Sequence, residues 1–104
     1  MKRAKLLARI KEAVARIDPD AEVILYGSRA RGKGGPASDW DILVLSDQEP
    51  LRDSRKAIRA QLYEIEWESG EVISAVIKSR AEWNMPELRY SPYHRNVERE
   101  GVRL

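Results

Sequence analysis

Residues 22–46 read EVILYGSRARGKGGPASDWDILVLS, and this stretch decides the fold. Glu22 to Tyr26 is short, apolar on both faces and β-prone, the pattern of a strand covered on both sides. Trp40 to Leu45 is a second such run. Between them, residues 27–38 hold four of the six glycines and one proline, and read as a loop. Side chains alternate along a strand, so Asp39 and Asp41 should project from one face while Trp40, Ile42 and Val44 share the other. Two carboxylates side by side repel each other, and burying them without a partner is costly. A divalent cation removes that conflict and is the Lewis acid that phosphoryl or nucleotidyl transfer requires. Upstream, Gly27 permits a tight turn and close approach of a phosphate. Ser28 offers a hydroxyl, and Arg29, Arg31 and Lys33 add positive charge.

Working outward from this segment, Leu6, Leu7, Ile10, Val14 and Ile17 recur at helical spacing and predict an amphipathic helix over 3–17. Asp18-Pro19-Asp20 stops it, because the residue before proline avoids the helical region. On the other side, Pro50 is placed to open a helix at its first position. Ile58, Leu62 and Ile65 carry that helix to about Ser69, where Gly70 supplies the stop. Val72 to Ile77 reads as a third strand, rich in β-branched residues. The segment from Lys78 has no clean period, and a last helix is expected near 92–100, ended by Gly101. The order helix, strand, strand, helix, strand, helix predicts an α+β fold, an α/β layer sandwich with a small mixed β-sheet backed by helices. No repeat or linker interrupts it, so a single domain over residues 1–104 is expected.

Composition narrows the chemistry. Of 104 residues, 42% are apolar and 35% charged, enough for one modest core. There is no cysteine, which excludes disulfides, thiolate zinc sites and thiol catalysis. His94 is the only histidine, so a multi-histidine metal centre cannot form and a Ser-His-Asp triad would have to use it. Carboxylate remains as metal ligand, which suits hard ions such as Mg²⁺. The net charge of +2 is uneven: residues 1–16 carry six Lys/Arg against one Glu, and residues 64–71 carry four Glu and no base.

The basic helix has no interleaved aromatics and reads as a solvated face, so nucleic acid is not an expected partner. Glu64, Glu66 and Glu68 read as the exposed end of a helix, and His94 as a surface or hydrogen-bonded structural residue. Trp83, Met85, Tyr90 and Tyr93 either finish the core or meet a partner or a second copy. No apolar run approaches the roughly 20 residues of a membrane span. Arg9, Lys11 and Glu12 interrupt the apolar positions of the basic start, so no targeting segment or membrane contact is expected and a cytoplasmic location is.

YGSRARGKGGPASDWDILVL resembles the signature of the DNA polymerase β-like nucleotidyltransferase superfamily, and most closely its minimal nucleotidyltransferase (MNT) branch. The pattern is Gly-Ser, about ten intervening residues, then Asp-x-Asp, matched here by Gly27-Ser28 and Asp39-x-Asp41 over residues 23–46. The resemblance implies a palm-like sheet and Mg²⁺-dependent transfer of a nucleoside monophosphate, expected to be AMP from ATP, to an acceptor hydroxyl. It implies that Asp39 and Asp41 hold the metal, expected as two ions, and are the catalytic acids. It implies that Gly27 and Ser28 cradle the triphosphate, with Arg29 and Arg31 neutralising charge beside it. It also implies a partner, a small helical HEPN-type protein that the MNT chain counters as an antitoxin. Active members usually carry a third carboxylate on the following strand. Here that strand offers Ser74, and Glu71 lies at its start, too early. A second reading therefore stands beside the first: a weak or inactive MNT antitoxin that binds and blocks its partner without turnover. A nucleic-acid-binding accessory is a third.

Overall fold

Strand β2 (Trp40–Leu45) is the spine of the sheet, with five of its six residues buried. The computed structural model describes residues 1–104. Around β2 the chain forms helix α1 (Arg3–Ile17), strand β1 (Glu22–Tyr26), the short helix α2 (Gly27–Ala30), helix α3 (Leu51–Ser69), strand β3 (Ile73–Lys78), short helices α4 (Arg80–Trp83) and α5 (Pro86–Arg89), helix α6 (Pro92–Glu100) and strand β4 (Val102–Arg103). The sheet order is β3-β2-β1-β4. β1 is antiparallel to both β2 and β4, while β2 and β3 are parallel. The parallel pair needs a long crossover, and α3 supplies it. The expected α+β sandwich with a mixed sheet is what forms.

The strand alternation divides the core between two faces. On one face Val23, Leu25, Trp40, Ile42, Val44 and Ile77 pack against Leu6, Ile10 and Val14 of α1 and Ile58, Leu62 and Ile65 of α3. On the other, Leu43 and Leu45 pack against Trp83 of α4 and Val97 of α6, with Tyr26, Val76, Leu88 and Tyr93 partly buried around them. The aromatic tail thus splits: Trp83 joins the core and Tyr93 is half-buried, whereas Met85 and Tyr90 stay exposed.

Three details depart from the sequence reading. The loop after β1 begins with one turn of helix, so the irregular segment is 31–39, and Asp39 falls in it rather than in β2. Pro50 caps α3 from the extended region and does not occupy its first turn. His94 is buried rather than superficial, stacked on Trp83 with centroids 4.1 Å apart, and its Nε2 has no hydrogen-bond partner. Its place is set by ring packing, which a lone histidine in sequence does not signal.

The open edge of β3 is partly covered by α3 itself. Glu66 Oε2 accepts from the Ile73 N–H at 2.8 Å, Arg59 donates to the Ala75 carbonyl at 3.1 Å, and Arg55 donates to the Ile77 carbonyl at 3.2 Å. Those side chains occupy groups that would otherwise recruit another strand. At the far end of β2, Ser46 Oγ donates to buried Asp18 at 2.6 Å and Gln48 donates to the Ile17 carbonyl at 2.7 Å, tying the end of α1 to the sheet.

Ile42 is fully buried at the centre of this arrangement. Ile42→Ala should lower the unfolding free energy by about 2–5 kcal/mol through lost burial and the cavity left behind, read as a shift of the urea midpoint at unchanged slope.

Candidate active site

The register brings the chemistry-bearing residues to one end of the sheet. Asp41 pairs with Tyr26 across β1 and with Ser74 across β3. It lies on the α4–α6 face of β2, since Trp40 and Ile42 occupy the opposite face. Asp39 precedes the strand by one residue, on the same side as Asp41, and is exposed. Neither carboxylate joins any of the chain's ion pairs. Burial, and then the neighbouring charge of Asp39, push the Asp41 carboxyl above the usual aspartate range. An acid held in that state favours a proton or a cation beside it.

Gly27 is fixed by this geometry. Its φ is +74°, in the left-handed region that side chains resist. A Cβ at this position would collide with the Asp41 carboxylate. The backbone therefore turns directly over the acid, and only glycine permits it. Ser28 follows in α2, partly exposed, with its hydroxyl outside the chain's side-chain hydrogen bonds. Gly27, Ser28, Asp39 and Asp41 thus lie at one corner of the sheet.

The two arginines are placed differently. The Arg29 guanidinium lies 4.3 Å from the Trp40 ring centroid, donates to the Ser38 carbonyl at 3.0 and 3.3 Å, and sits 3.6 Å from Glu71. It pins the two ends of the 31–39 loop together, on the α1–α3 side of the sheet. Stacking in so shielded a place contributes about 1–2 kcal/mol. Gly34 lies so close that a Cβ there would press on the Arg29 side chain at 2.7 Å. Arg31 pairs with Glu100 of α6 at 2.8 Å, yet keeps 44% of its side chain exposed.

The position of the third acid is equally concrete. Ser74 is the residue in register with Asp41, and it is exposed. Glu71 accepts from the Trp40 indole N–H at 3.1 Å and pairs with Arg29, on the other side of the sheet from Asp41. No group of three acidic or histidine side chains is placed to hold a metal ion. Two hard oxygen ligands remain. They fit Mg²⁺, which usually takes one or two carboxylates and completes its shell with substrate phosphates and water.

A tyrosine pair that sequence reasoning did not assign to the site flanks Asp41. The Tyr93 hydroxyl donates to the Tyr26 hydroxyl at 3.0 Å, with the rings edge-to-face at 5.6 Å. Burial raises both phenols, so both stay protonated near neutral pH. A cavity of about 170 Å³ opens beside them, lined by Gly27, Arg31, Asn96 and Glu100 among others. The only signal in sequence was an aromatic in the tail whose partner could not be named.

Residues 7–102 match a family model described as a nucleotidyltransferase domain. No curated protein matches the chain. No helix is long and apolar enough to cross a membrane.

Two expectations follow from this geometry. A carboxyl whose folded pKa is raised binds its proton more tightly in the folded state, so it costs stability once pH rises through that pKa. Asp41→Asn should therefore raise the melting temperature at pH 7 and leave it unchanged near pH 2–3, where the acid is protonated in both states. Arg29→Ala should cost about 1–2 kcal/mol from the stacking alone and speed tryptic cleavage after Arg31 and Lys33, as the loop loses its anchor.

Proposed function

The chain belongs to the nucleotidyltransferase domain family, and from that premise we propose that it transfers a nucleoside monophosphate from an NTP, with AMP from ATP as the working case, to an acceptor hydroxyl. The observation that carries this reading is the pair of unpaired carboxylates, Asp39 and Asp41, beneath a glycine turn with no side chain to fill the space. Asp39 and Asp41 would hold Mg²⁺, which supplies charge stabilisation at the triphosphate when bound. The Gly27 backbone and the Ser28 hydroxyl hold the phosphates over the acids. Arg31 is exposed enough to reach them by exchanging Glu100 for phosphate. Arg29 acts indirectly, by holding the loop that frames the site. The acceptor oxygen bonds to the α-phosphorus, pyrophosphate leaves, and the acceptor proton is released.

What the chain lacks is its own base toward the acceptor. Ser74 stands at that position, and Glu71 is engaged with Trp40 and Arg29. The acceptor therefore has to lose its proton to water or to a group it brings itself. By the resemblance, the acceptor is a hydroxyl on a HEPN-type helical partner, and the chain is the antitoxin of that pair. The exposed Ser74 also favours a second reading, in which the chain binds and blocks that partner without turnover.

Calorimetric titration with ATP, with and without Mg²⁺, tests the nucleotide site. Wild type should bind only with Mg²⁺, and Asp39→Ala/Asp41→Ala should weaken binding at least tenfold while remaining folded. Equal binding by the double variant removes the assignment of these acids. Nucleotide bound without transfer to the partner, and the partner inhibited equally by both proteins, would establish the blocking reading.

A further inference from the structure

Away from the site, α3 presents aromatic surface to solvent. Trp67 is 76% exposed and Tyr63 58%, and the two rings already pack edge-to-face at 6.2 Å. Helical spacing puts Lys56, Ala60, Tyr63 and Trp67 on one stripe, opposite the buried Ser54, Ile58, Leu62 and Ile65. The helix is polarised along its length. Its first half carries Arg52, Asp53, Arg55, Lys56 and Arg59, and its second half Glu64, Glu66 and Glu68. Arg52 pairs with Asp53, Arg55 and Arg59 turn to β3, Glu66 holds the Ile73 N–H and Glu68 holds Arg9, which leaves Lys56 and Glu64 as the free charges beside the stripe. Lys56 and Glu64 are exposed and take part in none of the chain's ion pairs.

We propose that this stripe is a two-fold interface with a second copy of the chain, the two α3 helices crossing antiparallel near Ala60. Charge complementarity selects the occupant and the direction. Lys56 and Glu64 lie four residues either side of Ala60, so an antiparallel crossing there sets Lys56 of each helix against Glu64 of the other, whereas a parallel one sets like on like. Ala60 is small and lets the helices approach at the crossing point. Tyr63 and Trp67 of each copy then cover the aliphatic stem of the other copy's Lys56, whose ammonium lies over the Trp67 ring and reaches Glu64. Aromatic residues ringed by charge are the usual make-up of an interface centre. Association through a sheet edge is disfavoured, because α3 side chains occupy three of the outward groups of β3 and β4 is only two residues long.

The test is sedimentation equilibrium of the full chain across a concentration range. Wild type should move from monomer mass to twice that mass. Trp67→Glu, Lys56→Glu and Glu64→Lys should each weaken dimerisation at least tenfold. An equimolar mixture of Lys56→Glu with Glu64→Lys should recover the dimer, since both Lys–Glu contacts re-form in the mixed pair, one of them with its polarity reversed. These three side chains are exposed, and circular dichroism with an unchanged melting temperature, at a concentration where wild type and variants are all monomeric, checks that each variant folds. A wild-type chain that stays monomeric to hundreds of micromolar overturns the proposal and leaves the stripe to a different protein. So does a dimer indifferent to the substitutions, or a mixture that fails to recover it.

Discussion

The close approach between the Gly27 backbone and the Asp41 carboxylate is the contact on which the rest of the corner depends. It arises because antiparallel pairing sets Tyr26 opposite Asp41, so the chain leaving β1 has to turn immediately above the acid. A side chain at that turn would occupy the carboxylate's own volume. The left-handed turn then starts α2, and α2 sets the departure direction of Arg29 and Arg31. One residue of register would send Asp41 to the α1–α3 face among buried aliphatics, where an ionised carboxylate is untenable.

The sheet separates two tasks by face. Trp40, Ile42 and Val44 look toward α1 and α3 and make the larger core. Asp41 looks the other way, at the end of a strand whose next residues on that face, Leu43 and Leu45, are buried. The acids are therefore carried by a rigid backbone while their oxygens reach solvent. Two contacts from α6 close the corner, Tyr93 on Tyr26 and Glu100 on Arg31. The like charges of Asp39 and Asp41 oppose the fold in the absence of a cation, and the hydrophobic faces outweigh them.

Much of this was legible in the chain because local physics carried it. The apolar runs at 22–26 and 40–45 and the helical spacings at 3–17 and 51–69 each use one period, and each appears where the period places it. The pairing of Gly27-Ser28 with Asp39 and Asp41 was legible for the same reason, since two adjacent strands leave little freedom to the turn between them. The short helices α4 and α5 were not, because four-residue elements hold too few positions to display a period. Nor was the burial of His94, which follows from its stacking on Trp83.

The sequence by itself determined the sheet-and-helix order, the two acids at the start of β2, and the glycine turn before them. These are consequences of alternation, helical spacing and the conformational reach of single residues. Only the tertiary structure decided which charges remain for chemistry. Arg29 and Glu71 lie 42 positions apart, and both close on Trp40, on the opposite side of the sheet from Asp41. Ser74 faces Asp41 because β3 runs parallel to β2 in one particular register. Such pairings depend on how separate elements pack against each other, and no local pattern records them.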